Sequence, residues 1–492
     1  MKISKLTVYS ALKLLKSGEM TATEILNLSL EAVEEKKELN AFITTTIERA
    51  GKDAICSDTM YKDKKPRLLE GIPIAHKDMF CTKNIKTTAG SKMLENFVPQ
   101  YESTVSNKLK ELGTVLIGKT NQDEFGMGSN SLHSFFGSIK NPYSCKETLS
   151  PGGSSGGSAV SVASGQVLLA TGTDTGGSIR QPASYNGIVG YKPTYGLVSR
   201  WGCIAYASSL DCPGIFGKTV LDTAYGLTSI AGHDEKDGTS STEEAEDYLT
   251  TLIKMEEEQG SIDLKGYKIG IIKEIESMTL SDEVREKLST TKLKLEKSGA
   301  EFIELSIPSL KFALPAYYTI ALAESSANLA RYDGIRYGHS DTSGKTFIDR
   351  MKLSRTQGFG EEVQRRIILG TTVLASGFYD AYFIKASKVR RVLYNEFQVA
   401  FKKCDSILMP TTPNTAPVID DTISPLKEYS LDLFTVPINL IGSPAISIPA
   451  GLSDRGLPIG LQLVSKQFED AKLLKLAYKI EHIIKGQKND GV

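Results

Sequence analysis

The spacing of apolar and polar residues divides the chain into short helices alternating with short strands. Ile25, Leu28 and Ala32 recur on one face, and Thr21 with Glu24 forms the S/T-x-x-E signature of a capped helix start, so a helix is expected over residues 21–40. A shorter amphipathic helix is expected over residues 10–16, stopped by Gly18. Residues 69–75 (LEGIPIA) read as a buried strand, residues 103–112 as an amphipathic helix closed by Gly113, and residues 114–117 as the next strand. Further along, residues 267–272, 281–297 and 301–305 read as strand, helix and strand, a βαβ-like unit. Residues 314–331 and 360–401 are mainly helical in pattern. Residues 406–409 and 445–448 are short apolar strands bounded by prolines, and residues 470–485 form a closing helix. Alternation of this kind places the chain in the α/β class.

Residues 150–190 break the pattern. They hold ten of the 43 glycines, interleaved with Ser and Thr. Flexible linkers share that composition, but a small-residue helix (158–164) and an apolar strand (167–170) lie inside it. A folded, tightly turned core segment is therefore expected. Residues 231–265 are polar and acidic and read as a surface excursion.

At 492 residues the chain has room for about three domains or one large one. Lys and Arg number 58, as do Asp and Glu, so the zero net charge argues against nucleic-acid binding through bulk charge. The six cysteines show no CxxC or zinc spacing and the five histidines are dispersed, so free thiols and no metal site are expected. The opening residues carry no signal-peptide pattern. The longest uncharged apolar stretch, 433–453, contains Pro437, Pro444 and Pro449, which rules against a membrane helix. A cytoplasmic protein with no membrane partner is the expectation.

Three motifs bear on chemistry. Gly113–Thr120 spells a Walker A pattern, but its middle residues are strand-like and cannot cradle a phosphate. Gly152–Gly156 spells a G-x-S-x-G elbow, yet the preceding residues are polar and proline-bounded rather than a strand. The third arrangement is more informative. Ser154 and Ser178 each follow a Gly-Gly pair, and Asp174-Thr-Gly-Gly-Ser178 comes directly after a strand. Paired glycines let successive backbone N–H groups converge, as an oxyanion site requires. A serine nucleophile needs a base, and no histidine has a matching context. Lys77 does, at the end of the apolar run GIPIAHK, where burial would lower its pKa and let it act as a neutral base. From the residues alone, a Ser/Lys hydrolase stands beside a merely structural turn region and an ordinary surface lysine.

The run from Gly152 to Arg180 and the segment GIPIAHKD resemble the amidase signature family. NQDEFGMGS (121–129), GYKPTYGLVS (190–199), ASSLD (207–211) and GEEVQRRI (360–367) follow in order. The set is similar, over nearly the whole chain, to the A subunits of glutamyl-tRNA(Gln)/aspartyl-tRNA(Asn) amidotransferases. His76 and Met79, which flank the lysine-aspartate pair, depart from the family's usual residues. The resemblance implies a single large α/β domain with a central mixed β-sheet covered by helices on both faces. Within it, residues 1–66 would be an N-terminal helical part, 67–230 the signature core, 231–265 the excursion, and 266–492 the part completing the sheet and pocket.

The resemblance also implies a Ser–cis-Ser–Lys triad: Ser178 as nucleophile, Ser154 as bridge and Lys77 as base. Oxyanion donors would be the backbone of Thr175, Gly176 and Gly177. Arg366 would hold a substrate carboxylate, with Arg365 as the competing position, and Asp432 would hold an ammonium. Tyr317 and Ser129 would form pocket walls. The implied activity is glutamine hydrolysis, with ammonia passing to misacylated tRNA. No cofactor is expected on this chain. ATP and Mg²⁺ would act with a B subunit that also binds tRNA, and a small C subunit would complete a heterotrimer. A stand-alone amidase for small amides is the alternative.

Overall fold

The computed structural model describes residues 2–258, 262–419 and 424–486. Its strands are β1 (Phe42–Thr45), β2 (Pro73–Lys77), β3 (Val115–Thr120), β4 (Leu169–Asp174), β5 (Val189–Lys192) and β6 (Cys212–Gly217). The second half adds β7 (Lys268–Ile272), β8 (Glu301–Leu305), β9 (Ser406–Pro410), β10 (Ala445–Leu452) and β11 (Pro458–Val464). All eleven join one sheet in the order β1-β3-β2-β4-β6-β5-β10-β11-β9-β7-β8. The β3-β2-β4 and β9-β7-β8 neighbours pair in parallel and the others antiparallel, so the sheet is mixed.

Both faces of this sheet are covered. Along β9, Leu408 enters one hydrophobic cluster and Ile407 and Met409 the other, the two-residue alternation of a strand buried on both sides. The first cluster takes Leu473 and Tyr478 from the closing helix (Asp470–Lys485) and Leu15 from the helix Val8–Ser17. The second takes Leu322 from the helix Ala313–Asn328 and Leu393 from the helix Lys385–Phe401. Burying each such leucine contributes roughly 1.5–3 kcal/mol.

Local signals set the element ends. Thr21 accepts from the Glu24 N–H and Glu24 returns the bond, starting a helix that runs Ala22–Glu35; a separate 3-10 turn, Lys37–Leu39, follows it. The βαβ-like unit is β7, a helix over Asp282–Lys297 and β8, with β7 and β8 parallel. Two expectations shift. The strand expected at 167–170 runs later, as β4, because Gly172, Thr173 and Asp174 are buried between β2 and β6 despite their polar character. The excursion expected at 231–265 is only partly at the surface. It contains the helix Thr250–Glu258, and Tyr248, Leu249, Leu252 and Leu264 are buried in the first cluster. Residues 259–261 of that segment lie outside the described residues. Among the described residues no helix is long and apolar enough to cross a membrane.

Candidate functional site

Strand β2 carries an apolar run into the sheet and ends on Lys77, whose side chain is fully buried. Its Nζ lies 2.8 Å from Ser154 Oγ and 2.8 Å from Thr173 Oγ1. Thr173 is on β4, the parallel neighbour of β2. Two residues earlier on β4, Thr171 Oγ1 accepts from the Lys77 backbone N–H at 3.2 Å, so two threonines on one face of β4 hold the lysine. The adjacent carboxylate, Asp78, is engaged by Lys119 at 3.0 Å. Among the described residues Lys77 thus has hydroxyl partners and no paired carboxylate. Burial pushes its pKa down to about 7, against the smaller upward pull of surrounding acidic groups that include Asp123, Asp211 and Asp174.

Ser154 lies in the loop leading into the helix Gly156–Ala163, and the Gly153–Ser154 peptide is cis. A Cβ on Gly153 would fall 2.1 Å from Asp123 Oδ2, so only glycine lets this loop pack there. Asp123 donates its N–H to Ser154 O at 3.2 Å, and its carboxylate accepts from the N–H groups of Ser131 and His133. The Gly153 N–H donates to Gln181 Oε1 at 2.9 Å, which ties this loop to the helix Arg180–Asn186 just beyond Ser178.

From Leu169 to Asn186 only Ser178 is not buried. The turn that carries it is built over Asp174. That carboxylate accepts from the N–H of Gly177 (2.9 Å), from Arg180 Nε and Nη2 (3.0 and 2.9 Å) and from Asn439 Nδ2 (2.9 Å). Burial alone would raise the Asp174 pKa, but Arg180 above all brings it down to about 2. The consequence corrects one expectation: the Gly177 N–H points inward to Asp174. Among the described residues the N–H groups of Thr175, Gly176 and Ser178 have no protein partner. Ser178 Oγ likewise makes no hydrogen bond, so the structure joins Lys77 to Ser154 and leaves Ser178 at the open end.

The other predicted residues gather beyond this turn. Tyr317 on the helix Ala313–Asn328 packs against Gly176, where a Cβ would lie 2.3 Å from the tyrosine oxygen. Asp432 is buried and accepts from Ser129 Oγ and Tyr318 OH, both at 2.8 Å; burial pushes its pKa up to about 7. Arg366, on the helix Glu361–Leu374, is 3% exposed. Its Nε donates to Glu362 Oε1 (2.7 Å) and its Nη1 to Tyr206 OH (2.9 Å). The rings of Tyr206, Tyr318 and Tyr429 surround its guanidinium at 5.3–5.8 Å. Among the described residues Nη2 has no protein partner, so the fork keeps an edge for a carboxylate. Arg365 is 42% exposed and, among the described residues, pairs only with Glu362. The inward arginine is Arg366.

Several neighbours are not evident in the sequence. Thr173 follows Thr171 at strand spacing, a signal that becomes readable once β4 is placed. Tyr318 and Tyr206 carry no motif of their own, and Glu362, although it lies in the GEEVQRRI run, shows its role as the partner of Arg366 only once the helix is folded. Among the described residues, no group of three or more His, Cys, Asp or Glu side chains could hold a metal ion.

Comparison with known proteins extends these observations. The A subunit of the glutamyl-tRNA(Gln) amidotransferase of Caldanaerobacter subterraneus subsp. tengcongensis is 47% identical over 487 residues, 99% of this chain and 98% of that protein. The crystal structure of the corresponding A subunit of the glutamyl-tRNA(Gln) amidotransferase from Thermotoga maritima is 38% identical, with a TM-score of 0.80 over 98% of this chain and 95% of that one. The peptide amidase of Stenotrophomonas maltophilia shares the fold at 27% identity and a TM-score of 0.79, covering 98% of both chains. The family profile described as Amidase matches residues 24–474, a span that takes in Lys77, both serines and the Arg366–Asp432 pocket, and the chain belongs to the amidase family.

Proposed function

We propose that the chain is the glutamine-hydrolysing subunit of a tRNA-dependent amidotransferase. The observation that carries the reading is the pair of buried, opposite charges beyond the Ser178 turn. Arg366 offers a free guanidinium edge and Asp432 a carboxylate, and Tyr318 touches both. A zwitterionic amino acid needs that combination, and a neutral small amide does not. Full-length likeness to the A subunits of glutamyl-tRNA(Gln) amidotransferases supports the same reading.

In this mechanism neutral Lys77 takes a proton from Ser154 as Ser154 takes one from Ser178. Ser178 Oγ then attacks the side-chain carboxamide carbon of glutamine. The open N–H groups of Thr175 and Gly176 receive the developing oxyanion. The proton returns through Ser154 to the leaving nitrogen, ammonia departs, and water releases glutamate from the acyl-serine. Arg366 and Asp432 hold the α-carboxylate and α-ammonium, and Ser129 and Tyr317 shape the wall. Ammonia would then pass to a B subunit that binds the misacylated Glu-tRNA(Gln), ATP and Mg²⁺, the last two supplying the activation of the glutamyl carboxylate there, and a small C subunit would complete the complex.

The test is glutamine hydrolysis by the purified chain, alone and then with its partner subunits, ATP and misacylated tRNA. Strong stimulation with transfer of the amide nitrogen to tRNA is expected. Partner-independent hydrolysis of simple amides with no response to tRNA would move the chain to the stand-alone amidases.

A further inference from the structure

Tyr206 occupies a position that no motif singles out. Its side chain and its backbone reach opposite ends of the site. The hydroxyl accepts from Arg366 Nη1 at 2.9 Å. The backbone N–H donates to Asp211 Oδ2 at 2.9 Å, and the next N–H, that of Ala207, donates to Asp211 Oδ1 at 3.1 Å. Asp211 Oδ1 in turn accepts from Thr175 Oγ1 at 2.7 Å. One residue therefore links the arginine to the side chain of the first residue in the turn that presents Ser178. Arg366, Tyr206, Asp211 and Thr175 are all buried, with exposures of 2–6%, so none of these bonds has water as a ready substitute. The ring of Tyr206 also lies beside the guanidinium at 5.8 Å.

We propose that Tyr206 is a positioning and specificity residue that couples the arginine's hold on a substrate carboxylate to the placement of the Thr175–Gly176 N–H groups. The inference rests on the reading of Arg366 and Ser178 given above. A carboxylate on the free Nη edge pulls the guanidinium toward the pocket, and Tyr206 is the protein group that shares that guanidinium. Its backbone cannot shift without moving Asp211, and Asp211 cannot shift without moving Thr175. A substrate with an α-carboxylate thus settles the turn, and an amide without one leaves it unset. The coupling favours glutamine in the chemical step as well as in binding.

The experiment uses the full chain co-purified with its partner subunits, comparing glutamine with butyramide, which lacks the carboxylate and ammonium. Tyr206→Phe keeps the ring and removes only the hydroxyl. The expected result is a fall of about tenfold or more in kcat/KM for glutamine, carried partly by kcat, and a lower glutamine-to-butyramide ratio. Thr175→Val removes the bond to Asp211, and the double variant Tyr206→Phe/Thr175→Val is expected to lose less than the product of the two single losses. Equal losses on both substrates, a change in KM alone, or independent losses in the double variant would overturn the coupling. Ser178→Ala and Arg366→Lys run in parallel test the underlying reading. Full turnover in the serine variant, or an unchanged substrate ratio in the arginine variant, would sink that reading whatever Tyr206→Phe does.

Discussion

Lys77 Nζ and Ser154 Oγ are 2.8 Å apart, and both residues are buried. An ammonium there would have given up its hydration for two hydroxyls, which is why its pKa falls to about 7. If neutral Lys77 is the base, kcat/KM for glutamine rises with pH below about 7 and levels above it. Initial rates from pH 5.5 to 9 check this, and a flat profile would contradict it. Lys77→Met should lose about 10²–10⁴-fold in kcat. Stability should also rise with pH, in a higher window. Between the folded value near 7 and the ordinary value of 10.5 the unfolded chain binds more protons, so Lys77 makes stability rise with pH across that window. The methionine variant removes this slope, which urea midpoints at pH 7 and 9 would reveal.

Thr173 Oγ1 shares the lysine nitrogen with Ser154. A neutral amine has one lone pair, and the threonine helps decide where it points. Thr173→Val keeps the shape and removes the hydroxyl. We expect kcat to fall about tenfold with KM little changed. A change confined to KM would show that Thr173 does not orient the base.

The two adjacent arginines make a direct contrast. Arg366 is enclosed by three tyrosines and Glu362, whereas Arg365 is 42% exposed. Arg366→Lys puts a point charge where a fork stood, and kcat/KM for glutamine should fall more than tenfold. Arg365→Ala should stay within about twofold, since an exposed pair contributes little. Comparable losses in both variants would remove the assignment of Arg366.

The Lys77 end of the site was legible because a lysine closing an apolar strand is conspicuous, and so were the Gly-Gly-Ser turns. Its supports were not. The strand expected at 167–170 stops short of Gly172-Thr-Asp174, yet β4 and β6 pair through that segment, and the longer strand faces Thr173 toward Lys77. Strand β6 contains Pro213, Gly214 and Gly217, residues that mark turns in most sequences, so its place in the sheet depends on neighbours remote in the chain. Helical spacing alone could not separate Arg365 from Arg366, because both reach Glu362; burial does separate them, with Arg366 inside and Arg365 exposed. Gly177 was expected to face the oxyanion and instead faces Asp174, whose demand for donors is invisible until the turn is folded.

That demand leads to the last prediction. Asp174 is fully buried, and Arg180, Asn439 and the Gly177 N–H satisfy it. Its depressed pKa, about 2, means the stability it contributes is present above its ordinary value of 3.8 and is lost only as pH falls toward 2. Arg180→Met leaves a buried carboxylate without its cation and should cost about 3–5 kcal/mol at pH 7. With the arginine gone, burial dominates and the Asp174 pKa rises above its unfolded value. The folded variant then binds more protons than the unfolded chain, so its stability should improve as pH falls from 7 toward 5. Urea unfolding of both proteins at pH 5, 6 and 7 measures the two slopes. Equal stability at pH 7, or the same pH dependence in both, would show that Asp174 does not depend on Arg180. Ser178 sits on this same turn, so a loosened variant should also lose glutaminase activity before it unfolds, at urea concentrations where the wild type still turns over.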